Sequence, residues 1–80
     1  MKAIMVVDAV AKMEGVRHQD INAALGKSKG YFGATKTRGS TPRCDIIAKM
    51  LEVCGWRLVA VPAKDVPKSA IVFDSFNDRA

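Results

Sequence analysis

The sequence predicts a mainly α-helical domain of four helices followed by a C-terminal β-strand or β-hairpin. Three observations carry that expectation. Apolar residues recur at helical spacing through residues 2–13, 17–25 and 46–54. Gly15, Gly26 and Gly55 close those runs. Beyond Gly55 the texture changes to an alternating, β-branched stretch, which suits a strand.

The first helix presents Ile4, Val6, Val7, Val10, Ala11 and Met13, with Asp8, Lys12 and Glu14 falling between them. Its β-branched content also suits a strand. Val16 leads into RHQDINAAL, where Ile21, Ala24 and Leu25 form the short apolar face of a second helix, 17–25. Ser28 is the expected N-cap of a third helix running to Thr37. On that helix Phe32 and Thr35 share one side, and Gly30, Gly33, Ala34 and Thr37 fall opposite at 100° per residue. Lys29 and Lys36 flank one edge and Tyr31 the other. Two glycines within this helix cost about 1 kcal/mol each relative to alanine, a penalty that fits a backbone meant to lie close to a partner. Thr41 is the expected cap of the fourth helix, with Pro42 at its first position. Its buried stripe is Ile46, Ile47, Met50, Leu51, Val53 and Cys54.

WRLVAVP places Trp56, Leu58 and Ala60 on one side and Arg57, Val59 and Val61 on the other. Residues 56–61 and 70–74 are the expected strands, joined across AKDVPKS. The division expected is a helical domain over residues 1–55 and a β extension over 56–80. A hairpin alone is marginal in water, and 80 residues bury only a small core. The tail is therefore expected to pair across a two-fold axis in a homodimer.

Charge narrows the function. The net charge is +5. Lys27, Lys29, Lys36, Arg38 and Arg43 lie in a stretch with no acid between Asp20 and Asp45, and outside it acidic and basic residues balance. Such a segment suits an anionic partner. No stretch is long enough to span a membrane, the first residues do not read as a secretion signal, and a cytoplasmic location is expected. Cys44 and Cys54 stand about 15 Å apart along one helix, too far for a disulfide. His18 is the only histidine. No metal-ligand spacing or nucleophile–base pair stands out, so neither a cofactor nor an enzyme is expected. Gly26-Lys27-Ser28 imitates a phosphate loop, but Ile21 stands where that motif requires glycine.

Two helices joined by a tight turn, the second small-faced and bordered by cations, make a helix-turn-helix. Here VRHQDINAALGKSKGYFGATKTRGSTP, followed by AKMLEVCGWRLVAVP, resembles the lambda-repressor/Cro-type (Xre) helix-turn-helix proteins over residues 3–62. The shared pattern is Leu-Gly, Ser and an aromatic pair, then a glycine-bearing loop before proline. The resemblance implies a lambda-repressor-like fold and a regulator, expected to be a repressor, that binds double-stranded DNA as a dimer. By position it implies base contacts from Ser28, Lys29, Gly30, Gly33 and Ala34. It implies phosphate contacts from Arg17, His18, Lys27, Tyr31, Lys36, Thr37, Arg38, Ser40 and Arg43. Tyr31 equally suits a half-buried packing role. The chain departs from the pattern at Arg17, in place of Ser/Thr, at Asn22, in place of alanine, and at Lys27, in place of an apolar residue. Readout is then expected to rest on Lys29, on contact between the Ala34 methyl and thymine, and on DNA shape. The resemblance leaves a second reading open, an antitoxin that binds both DNA and a toxin protein.

Overall fold

The computed structural model describes residues 2–71. Its four helices are α1 (Ala3–Glu14), α2 (His18–Ala24), α3 (Tyr31–Arg38) and α4 (Cys44–Val53), followed by a 3-10 turn at Ala63–Asp65. α1 packs on α4 and α3, and α2 packs on α3 and α4. Their shared core holds Ile4, Val7 and Val10 of α1, Ile21 of α2, Phe32 of α3, and Ile47 and Met50 of α4, all essentially inaccessible to water. None of the helices is long and apolar enough to cross a membrane.

The helix ends follow from one local device. After α2, Gly26 takes φ 69°, the left-handed conformation that costs glycine no steric penalty. Its N–H bonds to the Ala23 carbonyl at 3.1 Å, and Lys27 N–H to the Asn22 carbonyl at 2.9 Å. These bonds satisfy carbonyls that the helix leaves open. The same pair of bonds closes α1 at Gly15 and Val16, α3 at Gly39 and Ser40, and α4 at Gly55 and Trp56. This closure, with the 3.6-residue recurrence of its apolar positions, makes the β-branched α1 a helix rather than a strand.

The helix starts are less regular, and those of α3 and α4 correct the expected caps. α3 begins at Tyr31 with Gly30 as its N-cap, and no cap side chain bonds there. Ser28 serves through its carbonyl, which accepts from Tyr31 N–H at 3.1 Å. Only Gly33 therefore lies within the helix. α4 begins at Cys44 with Arg43 as its N-cap, so Thr41 and Pro42 precede it. At α2 the N-cap is Arg17, whose side chain has no acceptor to offer. Asp20, three residues on, accepts from the Arg17 backbone N–H at 3.2 Å and from its guanidinium at 3.2 and 3.3 Å.

The β extension is a further correction. No β-strand occurs among the described residues, and residues 56–61 follow α4 without strand pairing. Part of the expected alternation survives in burial. Trp56 and Leu58 pack on the core, whereas Arg57 and Val59 are exposed. Trp56 Nε1 donates to Glu14 Oε2 at 3.1 Å, fixing the start of the tail to the end of α1. Proline at 62 and the 3-10 turn that follows end any extended run. Residues 72–74 of the second expected strand lie outside the described residues.

Candidate functional site

α3 lies with Phe32 and Thr35 buried and Gly33, Ala34 and Thr37 exposed, as its periodicity requires. A Cβ built on Gly30 or Gly33 meets no atom within 4 Å, so this face opens directly to solvent. Gly30 continues the face at the helix start, and Ser28 and Lys29 lie in the exposed turn before it.

Behind the face, two polar constructions hold the helix. The first is Asn22. Its side chain is buried and donates from Nδ2 to the Lys29 carbonyl at 2.7 Å. Its Oδ1 accepts the Phe32 backbone N–H at 3.0 Å. One amide thus fixes the inter-helix turn and satisfies a backbone donor at the open start of α3. Alanine there would leave both groups without partners, and each buried unsatisfied group costs roughly 1–3 kcal/mol. Asn22 is therefore a clamp between α2 and α3.

The second is Asp8 of α1, whose side chain is only 3% exposed. Lys36 Nζ approaches its Oδ2 at 2.8 Å, Lys12 Nζ the same atom at 3.4 Å, and His18 Nε2 its Oδ1 at 2.6 Å. Burial pushes the Asp8 carboxyl up. The hydrogen bonds from Lys36 and His18 and the charges of Lys36 and Lys12 outweigh that effect and hold it at about 2. Asp8 is thus ionised near neutrality and can only accept, so His18 Nε2–H is the donor. The His18 ring also stacks on Phe32, with centroids 4.3 Å apart. Asp8 joins three helices, a role that its place between apolar residues of α1 does not disclose.

The residues expected at phosphate differ in their partners. Lys36 and His18 are turned onto buried Asp8. Withdrawing both takes its two closest partners from a buried carboxylate, at a cost of several kcal/mol. Arg17 is paired with Asp20 and Arg43 with Asp45, but both acids are substantially exposed. Such surface pairs are worth about 0–1 kcal/mol and yield readily to a competing anion. Hydrogen bonding to Arg43 nevertheless lowers the Asp45 carboxyl, and bonding to Arg17 lowers that of Asp20. Lys27 lies over the Tyr31 ring, 5.3 Å from its centroid, and Tyr31 packs half-buried on the core. Arg38 Nε donates to Ser40 Oγ at 3.4 Å, beside the positive-φ Gly39. Lys27, Lys29 and Arg38 have no acidic partner among the described residues.

A shallow depression between the start of α2 and the turn brings Arg17, His18 and Lys29 together with Val16 and Gln19. Gln19 carries no expectation from the sequence, although its place in the first turn of α2 puts it beside His18. A second, apolar groove runs between α1, α4 and the tail, lined by Val6, Val10, Leu51, Val59, Val61 and Val66 among others. Val59 is 66% and Val61 46% exposed. Cys44 is exposed and Cys54 buried; burial, followed by the charge of Glu14, pushes the Cys54 thiol up, which keeps it protonated and unreactive.

No family model matches the chain, no curated protein matches it, and no solved structure matches it.

Proposed function

We propose that this chain is a sequence-specific DNA-binding regulator of the lambda-repressor/Cro type, a repressor that seats α3 in the major groove of its operator. The observation that carries the reading is the exposed face of α3. It is built of Gly30, Gly33, Ala34 and Thr37, has open space above its glycines, and is held from behind by Asn22 and Phe32. A helix so bare can approach base edges closely, and its rigidity lowers the ordering cost of docking. Lys29 reads bases from the turn, and the Ala34 methyl meets thymine. Lys27, Lys29 and Arg38, together with Arg17 and Arg43 once these exchange Asp20 and Asp45 for phosphate, supply affinity through counterion release. Half-sites are read by two copies joined through the tail, whose exposed valines provide the apolar contact.

Selection of bound sequences from random duplex DNA tests this reading. The expected product is a palindromic site with A·T pairs where Ala34 lies. Recovery of unenriched sequence from repeated rounds would overturn it. The apolar groove beside the tail favours a second reading, an antitoxin whose tail also binds a toxin protein. Stoichiometric recovery of one defined partner encoded beside this chain would favour it.

A further inference from the structure

The inference rests on the DNA-binding reading and concerns what the interface holds back. We propose that Asp8 is a specificity-determining residue, an internal carboxylate that withholds Lys36 and His18 from phosphate and so lowers sequence-independent attraction to polyanions. The cation pairs at the borders of the surface differ in kind. Asp20 and Asp45 keep 46% and 60% of their side chains in solvent, so an arginine leaving either one abandons a hydrated carboxylate. Asp8 keeps 3%, and it receives Lys36 at 2.8 Å and His18 at 2.6 Å. Lys12, on the same helix, is the third titratable group facing it. Lys36 therefore does not exchange Asp8 for a phosphate.

The consequence follows from the bareness of α3. Specificity is a difference between two affinities. A face of glycine and alanine offers few side chains to raise the specific one. Removing a cation from the phosphate count lowers the other, because each phosphate neutralised contributes about 0.9 to the slope of log K against log salt.

The test compares wild type, Asp8→Asn and the double variant Asp8→Asn/Lys36→Gln. Each is measured by elution from immobilised heparin and by the salt dependence of binding to random duplex DNA. Asp8→Asn should elute at higher salt and steepen the slope by roughly one unit, and the double variant should return to wild-type behaviour. A purely structural Asp8 would lower the melting temperature without steepening the slope. Unchanged elution and slope in Asp8→Asn would overturn the proposal, even with wild type binding its operator normally. Conversely, a heparin shift in a protein that binds no duplex would uphold the withheld cation and overturn the DNA reading. If Asp8→Asn does not fold, reductive methylation of wild type decides. Lys36 should react more slowly than Lys29, and equal rates would overturn the proposal.

Discussion

The inner and outer sides of α3 are made of opposite materials. Inward lie Phe32, completely buried, and Thr35, whose hydroxyl bonds back to the Tyr31 carbonyl at 2.8 Å. Asn22 of α2 bonds the Phe32 amide, and Asp8 of α1 bonds Lys36. Outward lie Gly33, Ala34 and Thr37, open to solvent. Every strong interaction of the helix is on the side that cannot meet a partner, and the side that can has been stripped of bulk. The difference teaches that rigidity and access are supplied by separate residues.

The largest break in that comparison should come from Phe32→Ala. Emptying the centre of a small core should cost about 3–5 kcal/mol, against a total of roughly 4–12 kcal/mol for a chain of this length. Denaturant titration should show much of the population unfolded in water. Asn22→Ala should follow, at roughly 3 kcal/mol. Hydrogen exchange should show the Phe32 amide losing protection before the core of α4 does. Equal loss throughout would mean that Asn22 acts on the whole fold rather than on the turn.

Acid should act most strongly on the inner side. The Asp8 carboxyl is lowered from an ordinary 3.8 to about 2, so its contribution is complete above pH 4 and is lost as the pH falls from there through 2. The loss amounts to roughly 2 kcal/mol. Asp8→Asn should flatten this limb of a stability–pH profile; an unchanged limb would assign it to other carboxylates.

On the outer side effects should be small for stability and large for binding. Gly33→Ala should stabilise the free protein by up to about 1 kcal/mol, because nothing obstructs the new methyl. It should weaken DNA binding, and a variant that binds as well as the parent would show that close approach at Gly33 is not needed. Arg38→Ala should leave stability within about 0.5 kcal/mol while reducing the salt slope by roughly one unit on all sequences. Lys29→Ala should alter sequence preference instead, and equal loss on specific and random duplexes would remove Lys29 from base reading.

Much of this architecture is legible in the chain because it depends on neighbours in sequence. The four helices follow the apolar period, and Gly15, Gly26 and Gly55 end three of them because a local chain reversal needs positive φ. The side of α3 that carries Phe32 is likewise a matter of spacing. Helix starts are less legible. Ser28 and Thr41 have capping side chains, but α3 and α4 begin later, at Tyr31 and Cys44. For α3, the donor at Phe32 is satisfied by Asn22, ten residues away. The strand chemistry of residues 56–61 needs a pairing partner, which local pattern cannot supply.

Sequence by itself determined the helical periods, the glycine closures, the acid-free basic stretch and the bare face of α3, since each depends on residues within a turn or two of one another. Only the tertiary structure decided that Asp8 is buried, that Lys36 and His18 are committed to it, and that Asn22 locks the turn. Those contacts join residues 10 and 28 positions apart, and a buried carboxylate is held ionised only where the folded chain brings cations to it.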